Sequence, residues 1–288
     1  MILHKMNEAQ TAKLYKEFPQ EQYFALERLN SSSFSQLMKS IDAYIYSKKR
    51  KYEDSDALRV GSALHSLLEG TFEDKYVIDN FDGRKKEDKE RKAALVATGK
   101  SFVDAKEFEM MKTWENNAKL MPLLDRTVWD FVSEPTAVKE AVILFDKDGV
   151  EMKAMVDSLL PESNIFLDYK TTRSCNVREL ETTVWKYFYF VQAAFYQSAI
   201  AEVYGREFTP YYIFFEKEPP YGIRVFTFDP EYLAYGRDII KQGKFLYKQY
   251  LQNKEEYNNK TLYGGYEVAP IIGKKPRWAY ENNETNEF

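Results

Sequence analysis

Asp157 is followed ten residues later by Asp168-Tyr169-Lys170-Thr171-Thr172. Residues two apart on a strand share a face, so Asp168 and Lys170 should project together. Two carboxylates and an amine are the groups that metal-assisted cleavage of a phosphodiester needs. The carboxylates hold a hard cation, and the lysine positions or activates the attacking water. Taken alone, the Asp-x-Lys triplet reads as easily as a surface ion pair on a half-exposed strand. The spacing around it is what favours the chemical reading.

Other residues could join this constellation. His65, in Gly61-Ser62-Ala63-Leu64-His65, could ligate a metal through a neutral ring nitrogen, or pack as a partly buried histidine. Glu69 is one turn further on, able to orient His65 or to stand solvated. Glu140 either adds a carboxylate or orients the lysine, or is a solvated strand-edge residue. Gln192 and Tyr196 are four apart and share a helical face, with Trp185 and Tyr189 in the same stripe. A buried glutamine there needs partners, whether a phosphate or an ordinary interhelical bond.

The elements that must position these groups are legible in outline. Ser33 is expected to cap a helix carrying Phe34, Leu37, Met38, Ile41 and Ile45. A second helix is expected over Ala57 to Glu69, stopped by Gly70, and a third from about Phe102 to Leu120. Residues 82–92 are too polar for a core and read as a loop or a solvated helix. Beyond Glu134-Pro135 the pattern changes. Glu140 to Phe145, Val150 to Leu160 and Ile165 to Lys170 read as an antiparallel meander, turned at Asp146–Gly149 and Pro161–Asn164. A helix from about Leu180 to Tyr204, strands at Tyr211–Phe215 and Ile223–Phe228, and a helix from Pro230 through Leu251 complete the pattern. The fold class is mixed α/β, a mixed central sheet flanked by helices. One domain covers 1–288: a mainly helical part to 135, a core over 136–250 and an extension from 251, frayed from Asn282 onward.

Composition narrows the chemistry further. The 288 residues are 44% hydrophobic and 30% charged, as expected for a globular protein. The 22 Tyr and 20 Phe pack a core or line a nucleic-acid surface. A net charge of −4 argues against a surface basic all over, but allows a local basic channel. Candidate phosphate contacts are Lys48-Lys49-Arg50-Lys51, Arg84-Lys85-Lys86 and Lys274-Lys275-Pro276-Arg277-Trp278, although charge runs are usually solvated surface. One cysteine, Cys175, excludes four-cysteine zinc and iron–sulfur centres, and two histidines argue against a multi-histidine one. Any metal should therefore be oxygen-liganded, Mg²⁺ or Mn²⁺. No apolar run matches a membrane span and Met1 to Glu8 lacks a signal-peptide core, so a cytoplasmic location is expected.

Gly61-x-x-x-His65, Asp157, Asp168-x-Lys170 and Gln192-x-x-x-Tyr196, in this order, resemble the PD-(D/E)xK nuclease superfamily. They are most similar to the exonuclease VIII group of phage and prophage recombination exonucleases. Asp82-Gly83-Arg84, Gly149 and Val191-Gln192-Ala193-Ala194-Phe195-Tyr196 extend the likeness over roughly residues 30 to 240. The resemblance implies a restriction-endonuclease-like core. It implies that Asp157, Asp168, the Tyr169 carbonyl and His65 bind Mg²⁺, that Lys170 positions the water, and that Glu140, Gln192 and Tyr196 support the site and the DNA end. It further implies 5′-to-3′ degradation of linear double-stranded DNA in a bacterial host cell. The 3′ overhang would serve a single-strand annealing protein, and the enzyme would form a ring-shaped homo-oligomer. A structure-specific or single-strand endonuclease, or a non-catalytic DNA-end-binding protein, stands as the alternative. The chain departs from the pattern in two ways. It lacks the iron–sulfur cysteines of some related nucleases, and Val156 stands where the superfamily's proline would precede Asp157.

Overall fold

A computed structural model describes residues 12–49, 56–82 and 84–259. Gly83, Arg50-Lys51, Lys274 to Trp278 and the tail from Asn282 lie outside the described residues. The first half comprises β1 (Ala12–Tyr15), α1 (Gln20–Ala25), α2 (Ser31–Leu37), α3 (Ile41–Lys49), α4 (Asp56–Glu69), α5 (Phe72–Lys75), β2 (Tyr76–Ile78), α6 (Lys86–Ala97), β3 (Ser101–Val103), α7 (Ala105–Leu120), β4 (Pro122–Leu123), β5 (Arg126–Thr127) and α8 (Val128–Val132). The second half comprises β6 (Val138–Lys147), β7 (Val150–Leu160), β8 (Ile165–Thr172), α9 (Val177–Lys186), α10 (Tyr189–Tyr204), β9 (Thr209–Glu216), β10 (Ile223–Phe226), α11 (Pro230–Gln252) and α12 (Lys254–Asn259).

Six strands form the main sheet in the order β1-β6-β7-β8-β9-β10. Every neighbouring pair is antiparallel except β8 and β9, which run parallel. Parallel neighbours need a long crossover, and α9 and α10 supply it. Helices cover both faces. Phe166, Tyr212 and Phe214 pack with residues of α2, α10 and α11 on one side. Leu167, Tyr169, Ile213 and Phe215 pack with residues of α4, α7 and α8 on the other. The period-two alternation of β8 and β9 divides the two cores.

Two features of the meander prepare the site. Lys147 pairs with Val150 around the two-residue turn Asp148-Gly149. Both turn residues have positive φ, 56° and 70°, as a type I′ hairpin requires. At the other end, β7 and β8 pair only over Ser158–Leu160 and Ile165–Leu167. The ladder opens at the next position, where Asp157 would face Asp168. Below this fork Leu29 covers the freed edge of β7: its N–H donates to the Glu151 carbonyl and its carbonyl accepts from Lys153 N–H.

Several expected elements are divided. The first helix breaks into α2 and α3. Its cap is Asn30, whose side chain accepts from Ser33 N–H while its own backbone N–H donates to Ser33 Oγ, so Ser33 is the third helical residue. The helix expected from Phe102 begins at Ala105, because Asp104 caps it and Ser101–Val103 pairs with β2. The helix expected over 180–204 is two helices, broken at Phe188, whose φ is 58°. Consequently Trp185 does not share a helix face with Gln192 and Tyr196. Residues 86–97 form the solvated helix, with no buried side chain.

Candidate active site

The site sits at the β7–β8 fork. Asp168 is 1% exposed, and its carboxylate pairs with the Lys170 ammonium. Apart from that ion pair, neither of its oxygens accepts a hydrogen bond. Burying a carboxylate so poorly satisfied is costly, and burial pushes its pKa up to about 7 against the pull of Lys170. Burial alone would lower the Lys170 pKa. Asp168 and Asp157 outweigh that effect and hold the ammonium above its ordinary value. The same ammonium lies 5.1 Å from the centre of the Tyr189 ring and 5.7 Å from that of Tyr212. Tyr212 is the β9 partner of Asp168 in register.

Asp157 stands across the fork. Its Oδ2 accepts the Tyr169 N–H at 2.8 Å, and burial raises its pKa to about 6. Strand β7 continues past it to Leu160. Neighbouring pairs Lys139–Ser158 and Ala141–Val156 put Glu140 directly opposite Asp157, yet these two do not pair. Glu140 has φ 44°. On both strands the inward alternation slips by one residue at this level: Val156 and Leu159 both face the same core, as do Val138 and Ala141. Such irregularities re-aim side chains. Here they turn Glu140 and Asp157 into one cleft of about 480 Å³, also lined by Ser62, His65, Ser66 and Glu69.

Helix α4 presents that last set because residues 62, 65, 66 and 69 fall on one face. His65 Nε2 is 3.2 Å from the Tyr169 carbonyl, and its Nδ1 is 3.7 Å from Asp157 Oδ2. With the proton on Nε2 the ring donates to the carbonyl. With the proton on Nδ1, a nitrogen lone pair and a carbonyl oxygen face each other. Burial and the Lys170 charge both keep the ring neutral. Glu69 has a side chain only 4% exposed, and its Oε1 has no partner. Burial, with Glu140 nearby, raises its pKa to about 7. The sequence offered no signal to separate it from a solvated glutamate.

Gln192 and Tyr196 stand behind the lysine. Gln192 Nε2 donates to the Tyr196 hydroxyl at 3.0 Å, and the Tyr212 hydroxyl donates to Gln192 Oε1 at 3.3 Å. Gln192 therefore reaches Lys170 through the Tyr212 ring. Tyr212 was not recognisable beforehand, because an inward tyrosine on a strand looks like any core aromatic.

Among the described residues, no three His, Cys, Asp or Glu side chains converge as they stand on a single cation position. The reason is visible: Asp168 is turned to Lys170 and Asp157 to the Tyr169 N–H. The donor set nonetheless suits a hard cation. Asp168 offers a buried Oδ2 without a partner beside the Oδ1 that meets Lys170, and the Tyr169 carbonyl faces His65. Of the basic runs, Arg84 to Lys86 is exposed at the start of α6, and Lys48 lies over the Tyr44 ring. No helix among the described residues is long and apolar enough to cross a membrane.

No curated protein matches the chain. A crystal structure of a protein from Eubacterium rectale named "Putative exonuclease" is similar in fold, with a TM-score of 0.57 and 15% sequence identity, over 89% of this chain and 96% of that one. The model of the PDDEXK-like domain of unknown function (DUF3799) matches residues 30–259, the stretch that holds the fork, His65 and Gln192, and the chain belongs to that family.

Proposed function

We propose that this PDDEXK-like protein is a metal-dependent exodeoxyribonuclease. It hydrolyses linear double-stranded DNA from an end, 5′ to 3′, and leaves a 3′ overhang for a single-strand annealing protein. The observation that carries the hydrolytic reading is the Asp168–Lys170 pair at the fork, with Asp157 across from it. The fold neighbour's name supports the exonuclease reading. Direction, annealing partner and a ring-shaped homo-oligomer follow from the motif resemblance set out above.

Asp157, Asp168, the Tyr169 carbonyl and His65 would hold the cation, Mg²⁺ or Mn²⁺. When bound it supplies Lewis-acid charge to a phosphate oxygen and lowers the pKa of a water. The protein's own groups do the rest. Lys170 places a fixed positive charge beside the attacked phosphate and holds the water in line. Tyr189 and Tyr212 confine the ammonium, and Gln192 fixes Tyr212. Glu140 lines the same cleft as Asp157 and adds a second carboxylate to the wall that would face a cation.

The decisive experiment is digestion of a linear duplex labelled at one 5′ end, with Mg²⁺ or Mn²⁺, beside a covalently closed circle and Lys170→Ala. The proposal expects early release of labelled mononucleotide, an intact circle and an inactive variant. Cutting of the circle would replace it with an endonuclease. Binding without cutting under either metal would make the chain an end-binding protein.

A further inference from the structure

The α9–α10 junction carries aromatic surface that hydrolysis does not use. Trp185, Tyr187 and Tyr235 are 56%, 57% and 46% exposed. Large rings left in water forgo much apolar burial, so a cluster of them points to a partner. Tyr187 lies nearly parallel to Tyr189, with centroids 5.8 Å and planes 24° apart. Tyr189, half-buried, meets the Lys170 ammonium on its ring. The Lys186 ammonium lies 5.5 Å from the Tyr187 ring. An exposed ring, an inner ring and the lysine of the Asp-x-Lys pair thus form a continuous path from solvent to the fork. Alongside it, Trp185 stacks on Phe190 at 5.3 Å and on Tyr235 at 5.9 Å, the latter pair only 4° from parallel.

The backbone is bent to make this arrangement. Residues i and i+2 of a continuous helix do not face each other. Phe188, between the two tyrosines, is in the left-handed region at φ 58°, ψ 35°. A bulky aromatic there is an outlier. The strain breaks one helix into two and lets Tyr187 and Tyr189 stack. Strained residues that persist near a site are a reason to look for function.

We propose that Tyr187, with the Trp185–Tyr235 stack, is a platform for the unpaired bases of a DNA strand whose backbone passes Lys170. Exposed rings with ammonium groups beside them match a base and its phosphate. Inside a duplex the base faces are already occupied by their neighbours, so the ligand is a single strand. The platform would hold the frayed end of the strand being cut. The inference rests on the nuclease reading, and it names the form of DNA that this site grips.

The test compares a fluorescein-labelled oligothymidylate with an abasic oligomer of equal length and phosphate count, without divalent ions, by anisotropy. The wild type should prefer the base-bearing strand by about tenfold or more, given the usual strength of base–aromatic stacking. Tyr187→Ala and Trp185→Ala should bring the two ligands within about twofold of each other, with abasic binding unchanged, while Tyr187→Phe keeps the preference. Unfolding midpoints of the exposed-site variants check that they fold. A wild type without preference, or alanine variants that keep it, would overturn the platform. Digestion of labelled duplex by wild type and Lys170→Ala, run in parallel, judges the nuclease reading separately. If the wild type cuts and Lys170→Ala does not, loss of the platform leaves that reading standing.

Discussion

Asp157 and Tyr169 are joined across the fork: the Asp157 carboxylate accepts the Tyr169 N–H at 2.8 Å, while His65 faces the Tyr169 carbonyl at 3.2 Å. Both polar groups of one residue's backbone are held, one from β7 and one from α4. Tyr169 itself is 1% exposed, with its ring in the core on the α4 side. This anchors the middle of the Asp-x-Lys triplet and sends Asp168 and Lys170 to the opposite face, toward α10. The carboxylates thus approach from neighbouring strands without sharing one side chain's hydrogen bonds.

Lys170→Ala should reduce cleavage by about 10²–10⁴-fold, the range for losing a positioned proton-transfer or charge-stabilising group. It also strips Asp168 of its ion-pair partner, so the variant should be less stable by about 3 kcal/mol where Asp168 is ionised. That loss should shrink as pH falls through about 7, where Asp168 protonates. Single-turnover cleavage and denaturant unfolding at pH 8 and pH 5 check both parts. Cleavage at the wild-type rate would remove Lys170 from the chemistry.

Glu69→Gln should stabilise the protein at alkaline pH in the absence of divalent ions. Burial raises the Glu69 pKa from 4.5 to about 7. Folding therefore favours the protonated acid. The stability that protonation contributes is fully present below pH 4.5 and is lost as pH rises through about 7. Glutamine escapes that loss, which the shift bounds at about 3 kcal/mol. Urea unfolding should show a gain at pH 8 and little change at pH 4.5. Equal effects at both pH values would mean that Glu69 is held by Lys75, 3.5 Å away, and not exposed to the cleft's charge.

How far the sequence disclosed this architecture depends on the range of the interaction involved. The β6–β7–β8 meander was legible because alternation and the Asp148-Gly149 turn are local signals. Helix α4 was legible too, bounded by Gly70. The break at Phe188 was not, because an aromatic gives no sign that it will adopt a left-handed backbone. The slip at Glu140 and Asp157 was equally hidden, since it depends on two strands deforming together. Tyr212 and Glu69 come to the candidate site only when β9 and α4 are packed against β8. The motif spacing named the candidate groups, while tertiary contacts decide which residues lie against them.

Gly236→Ala should be destabilising by about 1–3 kcal/mol, as overpacking generally is. A Cβ at this position in α11 would stand 2.7 Å from the Phe190 carbonyl oxygen and 2.9 Å from Ala194 Cβ. A backbone oxygen cannot swing aside, so α10 must shift. Gln192 lies on α10 between those two contacts, and its bond to the Tyr212 hydroxyl should lengthen. A lower unfolding midpoint together with reduced kcat is the expected result. An unchanged midpoint would show that α10 and α11 pack more loosely than this.

Gly61→Ala offers the opposite test. Gly61 lies one turn before His65 on α4, and a Cβ there meets nothing within 4 Å. Alanine loses less backbone freedom on folding than glycine in a helix, so the variant should be more stable by about 0.5–1 kcal/mol. The protein's own packing therefore gives no reason for a glycine next to Ser62, which lines the cleft. If a DNA backbone passes there, the methyl group occupies its space, and KM for duplex DNA should rise while kcat holds. Thermal unfolding and steady-state cleavage read the two effects independently. A gain in stability with unchanged KM would place the DNA path elsewhere, on the Lys170 side of the fork alone.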